Sequence, residues 1–408
     1  MSATVRIAFD SDPFDAAPAW TSVNAMEIHT KRGRQNVLGR MEAGTATVVL
    51  PNEDGAYWAD NAAGAYYGKI EPGKRINIRK TYNGITYNAY TGFINKWTPA
   101  WAEGSAGRTM VLECVDFMAF ASGYSINDAV GYAEELSGVR IGNVLDEIGW
   151  PVSAGEFDFW LLEDAVKSLL GTSTYLAGTV GSGRTLVPAT GAIEGLNATA
   201  HLYAVQDAER GILFVDTDGT IAFHDRYYRM FNSGIAAATF GDASLDFITF
   251  DPTRDRNRVY NIVRVTRSGG VEQESTDATS RTAYGPRTLP LTLLLTSDAA
   301  CLAVAQYIKN RSKDSRTEVP NIRIMPDKDP ANLYPIVLGL GISDRINITL
   351  AIASFDADFF IEGIQHDWKA SEGIWRTRWQ LSPATADTMW RLETVGFSEL
   401  AETTIVGF

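Results

Sequence analysis

The stretch KRINIRKTYNGITYNAYTGFINKW, residues 74–97, decides the predicted fold because it contains two β-strands and the start of a third. Apolar and polar residues alternate over residues 76–79, as in a strand with one buried face. Asn83-Gly84 then predicts a type I′ turn, since both residue types tolerate positive φ angles. Residues 85–90 are expected to return as the partner strand, and the residues after them to begin a third strand.

A second copy of this pattern lies near the other end of the chain. The matched segments are Arg75-Ile76-Asn77-Ile78 with Arg345-Ile346-Asn347-Ile348, the Gly-x-x-x-x-Trp motif at residues 92–97 with that at residues 363–368, and Arg108-Thr109 with Arg376-Thr377. The spacing from the arginine to the glycine differs by a single residue between the copies. A tetrapeptide alone can recur by chance, but a tetrapeptide with a matched spacing predicts duplicated β-domains.

Length and composition allow several domains with substantial cores. The chain has 408 residues, of which 45% are apolar, and a chain of this size usually forms roughly two to four domains. Aromatic residues make up 11% and include ten Trp. Large aromatic side chains are favoured in buried contacts, including contacts between subunits.

Charge and cysteine content bear on partners and compartment. The formal net charge of −13 opposes general binding to nucleic acid or to an anionic membrane, because phosphate binding needs clustered Lys and Arg. An acidic wall that only surrounds DNA would let the polymer slide. Cys114 and Cys301 are too few for a disulfide framework or a zinc cage, and both are predicted to be buried thiols. Without a signal peptide or an apolar run of spanning length, we expect a soluble protein made in a reducing cytoplasm.

Two short patterns predict a helix and a second hairpin in the middle of the chain. The helix is indicated by apolar residues at i, i+3, i+4 and i+7 over residues 141–148, and it is expected to end at Gly149. The hairpin is indicated by Asp218-Gly219 between two apolar runs.

The second half of the chain is expected to be β-rich with a helical insertion. Residues 268–287 are polar and are predicted to form a projecting loop. Ser297 is predicted to cap a helix that buries Leu302, Ala305 and Ile308.

Four aromatic residues, Tyr57, Trp58, Tyr66 and Tyr67, crowd one loop region. Such a group most often forms a small satellite core. A patch that faces a partner is the alternative.

Motifs for metal binding are weak in this sequence. The histidines His29, His201, His224 and His366 have no metal-ligand spacing, so each is interpreted as a surface or core residue. Residues 216–219 resemble part of a calcium loop but lack the rest of its spacing, which favours a hairpin.

Motifs for catalysis are also missing. The sequence has no G-x-S-x-G elbow, and the glycine-rich segments 181–184 and 339–341 lack the full spacing of a phosphate loop or a dinucleotide fingerprint. We therefore predict no catalytic, cofactor-binding or metal-binding residues, no cofactor, and no enzymatic activity.

Collinear short motifs give a resemblance that covers most of the chain. They are Gly39-Arg40 with residues 43–48, Asn52-x-Asp54-Gly55, Tyr66-Tyr67-Gly68, Pro72-Gly73-Lys74-Arg75 and Thr91-Gly92-Phe93; then residues 208–211, Phe214-Val215-Asp216, Asp218-Gly219 and Asp225-Arg226; and finally residues 338–340, Ser343-Asp344-Arg345, residues 361–364 with His366, and residues 381–384. In this order they resemble a family of minor tail proteins of long-tailed bacteriophages, which form the tail-tip or baseplate hub.

The resemblance implies a mainly β fold with α+β accessory parts, in which two tube-like β-barrel domains are joined by smaller α+β domains. The domains expected on this basis are residues 1–122, a first β-barrel; 123–240, an α+β domain with a Gly/Ser/Thr-rich loop near 171–195; 241–385, a second β-barrel with a helical insertion around 297–311; and 386–408, a C-terminal docking tail.

The resemblance also implies an assembly. Three chains with two similar barrels each would present six near-equivalent units to a six-fold tail tube and keep threefold symmetry toward the tip. The partners implied are two further copies of the chain, a distal tail protein or tail tube ring, a tape measure protein, and tip or fibre proteins. DNA would pass through without specific binding, no membrane anchor is expected, and the location would be the virion tail tip.

Three other functions remain open at this point. Hubs of this kind sometimes continue into a cell-wall hydrolase, although few residues follow the second repeat. The aromatic loop would suit a host receptor or carbohydrate-binding tail protein. A six-fold distal tail protein is a structural alternative, which the internal repeat disfavours.

Overall fold

The computed structural model describes residues 3–15, 17–35, 39–101, 107–127, 131–149, 180–229, 235–242 and 244–384. The predicted docking tail at 386–408 and residues 171–179 of the Gly/Ser/Thr-rich stretch lie outside these ranges.

The strands follow one another along the whole of the described chain. They are β1 (Ala3–Ile7), β2 (Thr21–Val23), β3 (Glu27–Gly33), β4 (Glu42–Pro51), β5 (Arg75–Tyr82), β6 (Ile85–Ala100), β7 (Thr109–Val115), β8 (Glu135–Leu136), β9 (Leu186–Val187), β10 (Ile212–Val215), β11 (Ile221–His224), β12 (Ala238–Gly241), β13 (Thr249–Phe250), β14 (Ile262–Thr266), β15 (Gln273–Thr276), β16 (Thr288–Thr292), β17 (Asn321–Ile324), β18 (Arg345–Leu350), β19 (Phe355–Lys369) and β20 (Trp375–Pro383).

In the described ranges the α-helices are fewer than the strands and lie between residues 117 and 339. They are α1 (Phe117–Phe120), α2 (Ser137–Glu147), α3 (Ala198–Glu209), α4 (Ala278–Tyr284), α5 (Asp298–Ser312) and α6 (Pro330–Gly339). Within the described ranges, no helix combines the length and the apolar character needed to span a membrane.

One large sheet dominates the described part of the chain. Its strand order is β13-β17-β20-β19-β3-β4-β7-β6-β5-β1-β2; β18 also lies beside β19, and β12 pairs with β18 in parallel. The other named neighbours in the large sheet are antiparallel. The prediction of a mainly β fold with α+β parts is confirmed.

Residues 74–97 contain the predicted hairpin, in which β5 pairs with β6. Asn83 and Gly84 have φ angles of 47° and 79°, as the type I′ turn requires. Ile76 and Ile78 are fully buried. The local pattern therefore sets the turn and the apolar face of β5, but Asn77 on the opposite face, which was expected to be in solvent, is only 3% exposed.

The repeat corresponds to two antiparallel meanders of the same topology. In the first meander, β6 lies between β5 and β7; in the second meander, β19 pairs with both β18 and β20. Each central strand carries one extra residue opposite its third strand, Asn95 in β6 and Glu362 in β19. These two β-bulges mark equivalent positions.

The alignment of the repeated glycines is wrong by four residues. Gly92 lies opposite Ile76, but the residue opposite Ile346 is Phe359, not Gly363. The main cause is the shorter second hairpin, because the paired residues Ile76 and Gly92 lie 16 residues apart in the chain whereas Ile346 and Phe359 lie 13 apart. The single-residue difference in motif spacing accounts for the rest. The repeated topology thus holds although one of the motifs that suggested it is out of register.

The accessory elements, helices α2 and α3 with strands β10 and β11, contribute to one apolar core. Helix α2 buries Ile141, Val144 and Leu145 and is followed by Gly149 at φ 70°, so the predicted helix is confirmed. Strands β10 and β11 pair antiparallel around a turn at Gly219, whose φ is 95°, as the hairpin prediction requires.

Several local predictions need correction. Residues 268–287 are not a loop: they contain β15 and α4, and the Asp277 side chain caps α4 by accepting a hydrogen bond from the Ser280 backbone N–H. Ser297 caps α5 as predicted, but Leu302 is only partly buried and Val304 takes the inner face with Ala305. Helices α3 and α6 were not predicted, because neither has a strong apolar stripe. Both cysteines are buried, as expected.

Candidate functional site: the junction between the two meanders

The two meanders belong to one sheet because β3 pairs with the second half of β19. The pairing is antiparallel and runs from Gly33 opposite Gly363 to Glu27 opposite Lys369. Strand β18 covers the first half of the same edge of β19. We call this β3–β19 pairing the internal junction.

Both meanders run in the same direction through the sheet. The path from β6 to β19 passes β7, β4 and β3, and every step is antiparallel, so β6 and β19 are parallel to each other. Their first hairpins therefore turn at the same end of the sheet. The two turns expose Ile85 by 57% and Ile352 by 96%.

The internal junction has an apolar face and a charged face. Ile28 lies opposite Trp368, and both side chains are buried. On the outer face, His29 Nδ1 lies 2.6 Å from Asp367 Oδ1. The alternation is that of a strand pair with one side in the core and the other in solvent.

A buried carboxylate lies at the end of the internal junction. Glu362, the bulged residue of β19, accepts hydrogen bonds from Arg34 Nε at 2.7 Å, from Arg229 Nη1 and Nη2 at 2.5 and 3.0 Å, and from Ser382 Oγ at 2.5 Å. Its side chain is 0% exposed. Arg34 follows β3, Ser382 belongs to β20, and Arg229 lies in the accessory region, between β11 and β12. The Glu362 carboxylate therefore joins three parts of the fold.

The electrostatics keep Glu362 ionised. Burial alone would raise its pKa, but the guanidiniums of Arg229 and Arg34 hold the pKa of this carboxyl well below its usual range. A buried pair of this kind fixes geometry more than it adds stability, because desolvation offsets much of the attraction.

Close backbone contact at the junction requires a glycine at position 33. Gly33 has a φ of +92°, and a Cβ there would lie 2.3 Å from the carbonyl oxygen of Glu362. A side chain at this position would push β3 away from the bulge.

The strands that flank the two meanders also correspond. Strand β4 lies beside β7 as β17 lies beside β20, and β3 lies beside β4 as β13 lies beside β17. The matched pairs are Ile28 with Val48 and Phe250 with Ile322. Phe250 of β13 is therefore equivalent to Ile28 of β3.

The first meander has an open counterpart of the internal junction. On the edge of β6 that pairs with β5, no strand of the described residues lies beside residues 95–100. At the opposite end of the sheet, β13 is the last strand. Trp101 lies six residues after the bulge at Asn95, and Trp368 lies six residues after the bulge at Glu362, so the two tryptophans occupy equivalent positions. The Trp101 side chain is 57% exposed, whereas Trp368 is 5% exposed.

The histidines do not come together. His201, His224 and His366 are buried, and burial lowers their pKa to about 4, about 3 and about 3, respectively. His29 lies on the junction surface. Within the described ranges, no group of three or more His, Cys, Asp or Glu side chains is placed to hold a metal ion.

The four aromatic residues of the loop region include both packed rings, as in a satellite core, and an exposed side chain, as in a patch that faces a partner. Tyr66 stacks on Phe9 and Tyr57 with ring centroids 4.1 and 5.2 Å apart, which is the predicted satellite core. Tyr67 is 56% exposed, and Trp58 packs edge-on against Trp101 at 5.5 Å.

Comparison with known proteins gives a structural likeness without a sequence match. No protein-family model matches the chain, and no curated protein matches it. The structure is similar to the 43 kDa tail protein of prophage MuSo2 from Shewanella oneidensis, with a TM-score of 0.56 and 12% identity over 94% of this chain and 98% of that one. The fold is that of a phage tail protein.

A second solved structure gives the same result. The tail protein from Neisseria meningitidis MC58 is similar with a TM-score of 0.56 and 12% identity, over 95% of this chain and 98% of that one. Both likenesses extend over nearly the whole of each chain, so they include both meanders and the accessory elements between them. At this identity the likeness concerns the fold.

Of the two strands of the internal junction, only β19 was predicted from the sequence, as part of the second repeat; β3 and the polar centre were not predicted. Glu362 and Arg34 are far apart in the chain, and although Glu362 lies in the segment 361–364 that contributes to the resemblance, nothing in that segment marks it as a buried ion-pair partner. One available signal was Gly33-Arg34, a glycine at the end of a strand followed by a charged residue.

Proposed function

We propose that the chain is a structural protein of a phage tail or a phage-derived particle: a homotrimeric tail-tip or baseplate hub that adapts a six-fold tail tube to a threefold tip and lines the channel through which DNA leaves. The observation that carries the proposal is that one sheet holds two meanders of the same topology in the same direction. Three such chains contain six near-equivalent meanders.

The open edges support ring formation. An uncovered strand edge is a template for pairing, and a head-to-tail contact between identical chains gives a closed ring when the rotation closes. In the proposed trimer, β13 of one chain pairs with the open edge of β6 in the next, so that Phe250 meets Trp101 as Ile28 meets Trp368 inside the chain.

The hairpin turns suit contact with a six-fold partner. A trimer would present Ile85 and Ile352 three times each at one end, as six apolar points for a distal tail protein or tube ring. The net charge of −13 suits a channel wall that DNA passes without sticking. A tape measure protein inside the tube and tip or fibre proteins at the threefold end complete the proposed set of partners. The proposed role is non-enzymatic.

Mass measurement tests the trimer and its edges together. Light scattering on the purified chain should give three times the 44.6 kDa of one chain. Trp101→Asp should lower the mass to that of the monomer, because the charge would enter the pairing edge. Tyr67→Asp, at a residue of matched exposure that belongs to neither β6 nor β13, should leave the trimer intact.

Cryo-electron microscopy of tail tips should show a threefold ring of this chain below a six-fold tube. A monomer at every concentration, together with no threefold ring in assembled particles, would refute the proposal. Six copies in one ring would point instead to a distal tail protein.

Host receptor or carbohydrate binding is a second candidate, favoured by the exposed side chain of Tyr67 in the same loop region as Trp58. Purified protein should then bind host cells, and changing Tyr67 and Trp58 to Ala should abolish the binding. Unchanged binding in the double variant would exclude this loop as the site.

A further inference from the structure

An arginine-rich cavity of about 140 Å³ lies between the accessory region and the second meander. Seven arginines and four carboxylate residues line it. This excess of positive charge is unusual for a chain whose net charge is −13.

Some of the arginines have buried counter-ions in the wall. Arg34 and Arg229 bind Glu362, as described above. Arg226 Nε lies 3.2 Å from Glu209 Oε1, and that side chain is also 0% exposed. These arginines are held in place by carboxylates behind the cavity surface.

The lining carboxylates are largely occupied by other arginines. Asp207 Oδ2 accepts hydrogen bonds from Arg40 Nε and Nη2 at 2.9 and 2.6 Å, and Asp225 Oδ2 accepts one from Arg184 Nε at 3.2 Å. Neither Arg40 nor Arg184 lines the cavity. The negative charge of both aspartates is therefore directed away from it.

The other two lining carboxylates are Glu318 and Asp314. Glu318 Oε2 lies 3.5 Å from Arg258 Nε, and Asp314 is exposed to solvent. They leave the lining with more guanidiniums than carboxylates.

Two of the lining arginines, Arg210 and Arg316, have no side-chain hydrogen bond and no ion pair among the residues that the structure describes. Arg210 is the one that lies close to the guanidiniums of Arg34, Arg226 and Arg311. Burial and the guanidiniums of Arg34, Arg311 and Arg226 together lower the pKa of Arg210 to about 10, although the nearby carboxylate of Asp207 opposes the shift. Its backbone ends α3 in the left-handed region at φ 57°, which few residues other than glycine adopt.

We propose that this cavity binds a phosphate-sized oxyanion, with Arg210 as its principal ligand. The guanidinium fork matches the oxygens of a phosphate in a planar, two-point contact. The volume holds several water molecules, which is sufficient for one phosphate group with residual water but not for a nucleic-acid strand. Partial enclosure strengthens the attraction, because the local dielectric constant is below that of bulk water.

Calorimetric titration of the purified full chain with inorganic phosphate tests the proposal. Sodium chloride should hold the ionic strength constant at neutral pH. We expect one saturable site per chain, with no equivalent heat from chloride. Arg210→Gln should weaken phosphate binding by about 10-fold or more, and Arg210→Lys should weaken it less.

A matched control removes one positive charge elsewhere. Arg323 is exposed on β17, so Arg323→Gln should leave the affinity unchanged. The folding of Arg210→Gln is checked by its melting temperature in chloride, which should not fall because Arg210 has no described partner to lose.

Several results would overturn the proposal. They are phosphate binding no tighter than chloride, equal weakening by Arg323→Gln and Arg210→Gln, or tighter binding of succinate than of phosphate. The last result would assign the cavity to a carboxylate, such as a side chain of a neighbouring protein.

Discussion

Replacing Glu362 with Gln tests whether the buried carboxylate holds the internal junction together. The amide keeps the size of the side chain but removes the charge, and its NH₂ group would face the N–H donors of Arg34 or Arg229. Two buried guanidiniums then lack a counter-ion. Breaking a buried ion pair by removing one partner costs about 3–5 kcal/mol, a large part of the roughly 5–15 kcal/mol that stabilises a typical protein.

The assay is urea unfolding at neutral pH, followed by tryptophan fluorescence. The matched control is Glu113→Gln, which removes an exposed carboxylate of β7 whose partner Lys96 lies 3.2 Å away. An exposed pair of this type contributes less than about 1 kcal/mol, so the control should unfold near the wild-type midpoint. Adding Arg229→Met to Glu362→Gln should recover part of the loss, because it removes one of the unpaired charges.

Equal urea midpoints for Glu362→Gln and the Glu113→Gln control would refute this account of the buried carboxylate. The pH dependence gives a second check. A carboxyl whose folded pKa lies below its unfolded pKa contributes stability above the unfolded pKa, and that stability is lost as the pH falls through the folded pKa. Glu362→Gln should therefore flatten the loss of stability on the acid side of the ordinary glutamate pKa.

Two further predictions concern the same junction. Gly33→Ala should destabilise the chain by about 2–4 kcal/mol in thermal unfolding, because of the positive φ and the clash with the Glu362 carbonyl oxygen. The control Gly123→Ala should have little effect, because a Cβ there meets nothing within 4 Å. Equal melting temperatures for the two variants would contradict this prediction. Because the folded pKa of His366 is lowered to about 3, its stabilising contribution is present above its unfolded pKa and declines as the pH falls, so the wild type should lose about 2 kcal/mol more than His366→Gln between pH 7 and pH 5 in urea titrations. An identical pH dependence in both proteins would contradict this prediction, and His29→Gln serves as the exposed control.

The low pKa of His366 has a visible structural cause. The ring is buried, and its Nδ1 accepts a hydrogen bond from Trp375 Nε1–H at 3.2 Å. A proton on Nδ1 would set two donors against each other, so protonation must break that contact. Thr377 Oγ1 lies 2.8 Å from the same nitrogen and completes its surroundings.

The parts of the fold that follow from local chemistry were predictable from the sequence. Asn83-Gly84 specifies its turn through the φ angles that the two residues tolerate, and the alternation around Ile76 specifies a buried strand face. The repeat was detectable because both meanders need the same alternation in their first strands. These signals act over a few residues and need no knowledge of distant contacts.

The register of the second meander was not predictable in the same way. Gly363 suggested an equivalence with Gly92, yet its role is different. A Cβ on Gly363 would lie 2.9 Å from the carbonyl oxygen of Arg34, so this glycine serves the approach of β3. Its requirement comes from a strand more than three hundred residues away, which no local pattern can report.

The polar centre around Glu362 likewise depends on residues that are distant in the sequence. Glu362 resembles any glutamate in a strand until Arg34 and Arg229 are placed around it. Only the tertiary fold distinguishes a buried carboxylate from a solvated one.

The two bulges suggest how one repeated unit serves both a permanent and an assembled junction. Inside the chain the bulged residue is Glu362, and its four hydrogen bonds make one register of β3 on β19 far better than a slipped one, which would turn every side chain to the other face. In the first meander the equivalent residue is Asn95, which is exposed and uncharged. In the proposed ring, the contact between chains would therefore rest on the apolar meeting of Trp101 with Phe250, without a buried charge to desolvate. Such a contact can form after the chains have folded, whereas the internal junction must form with the fold itself.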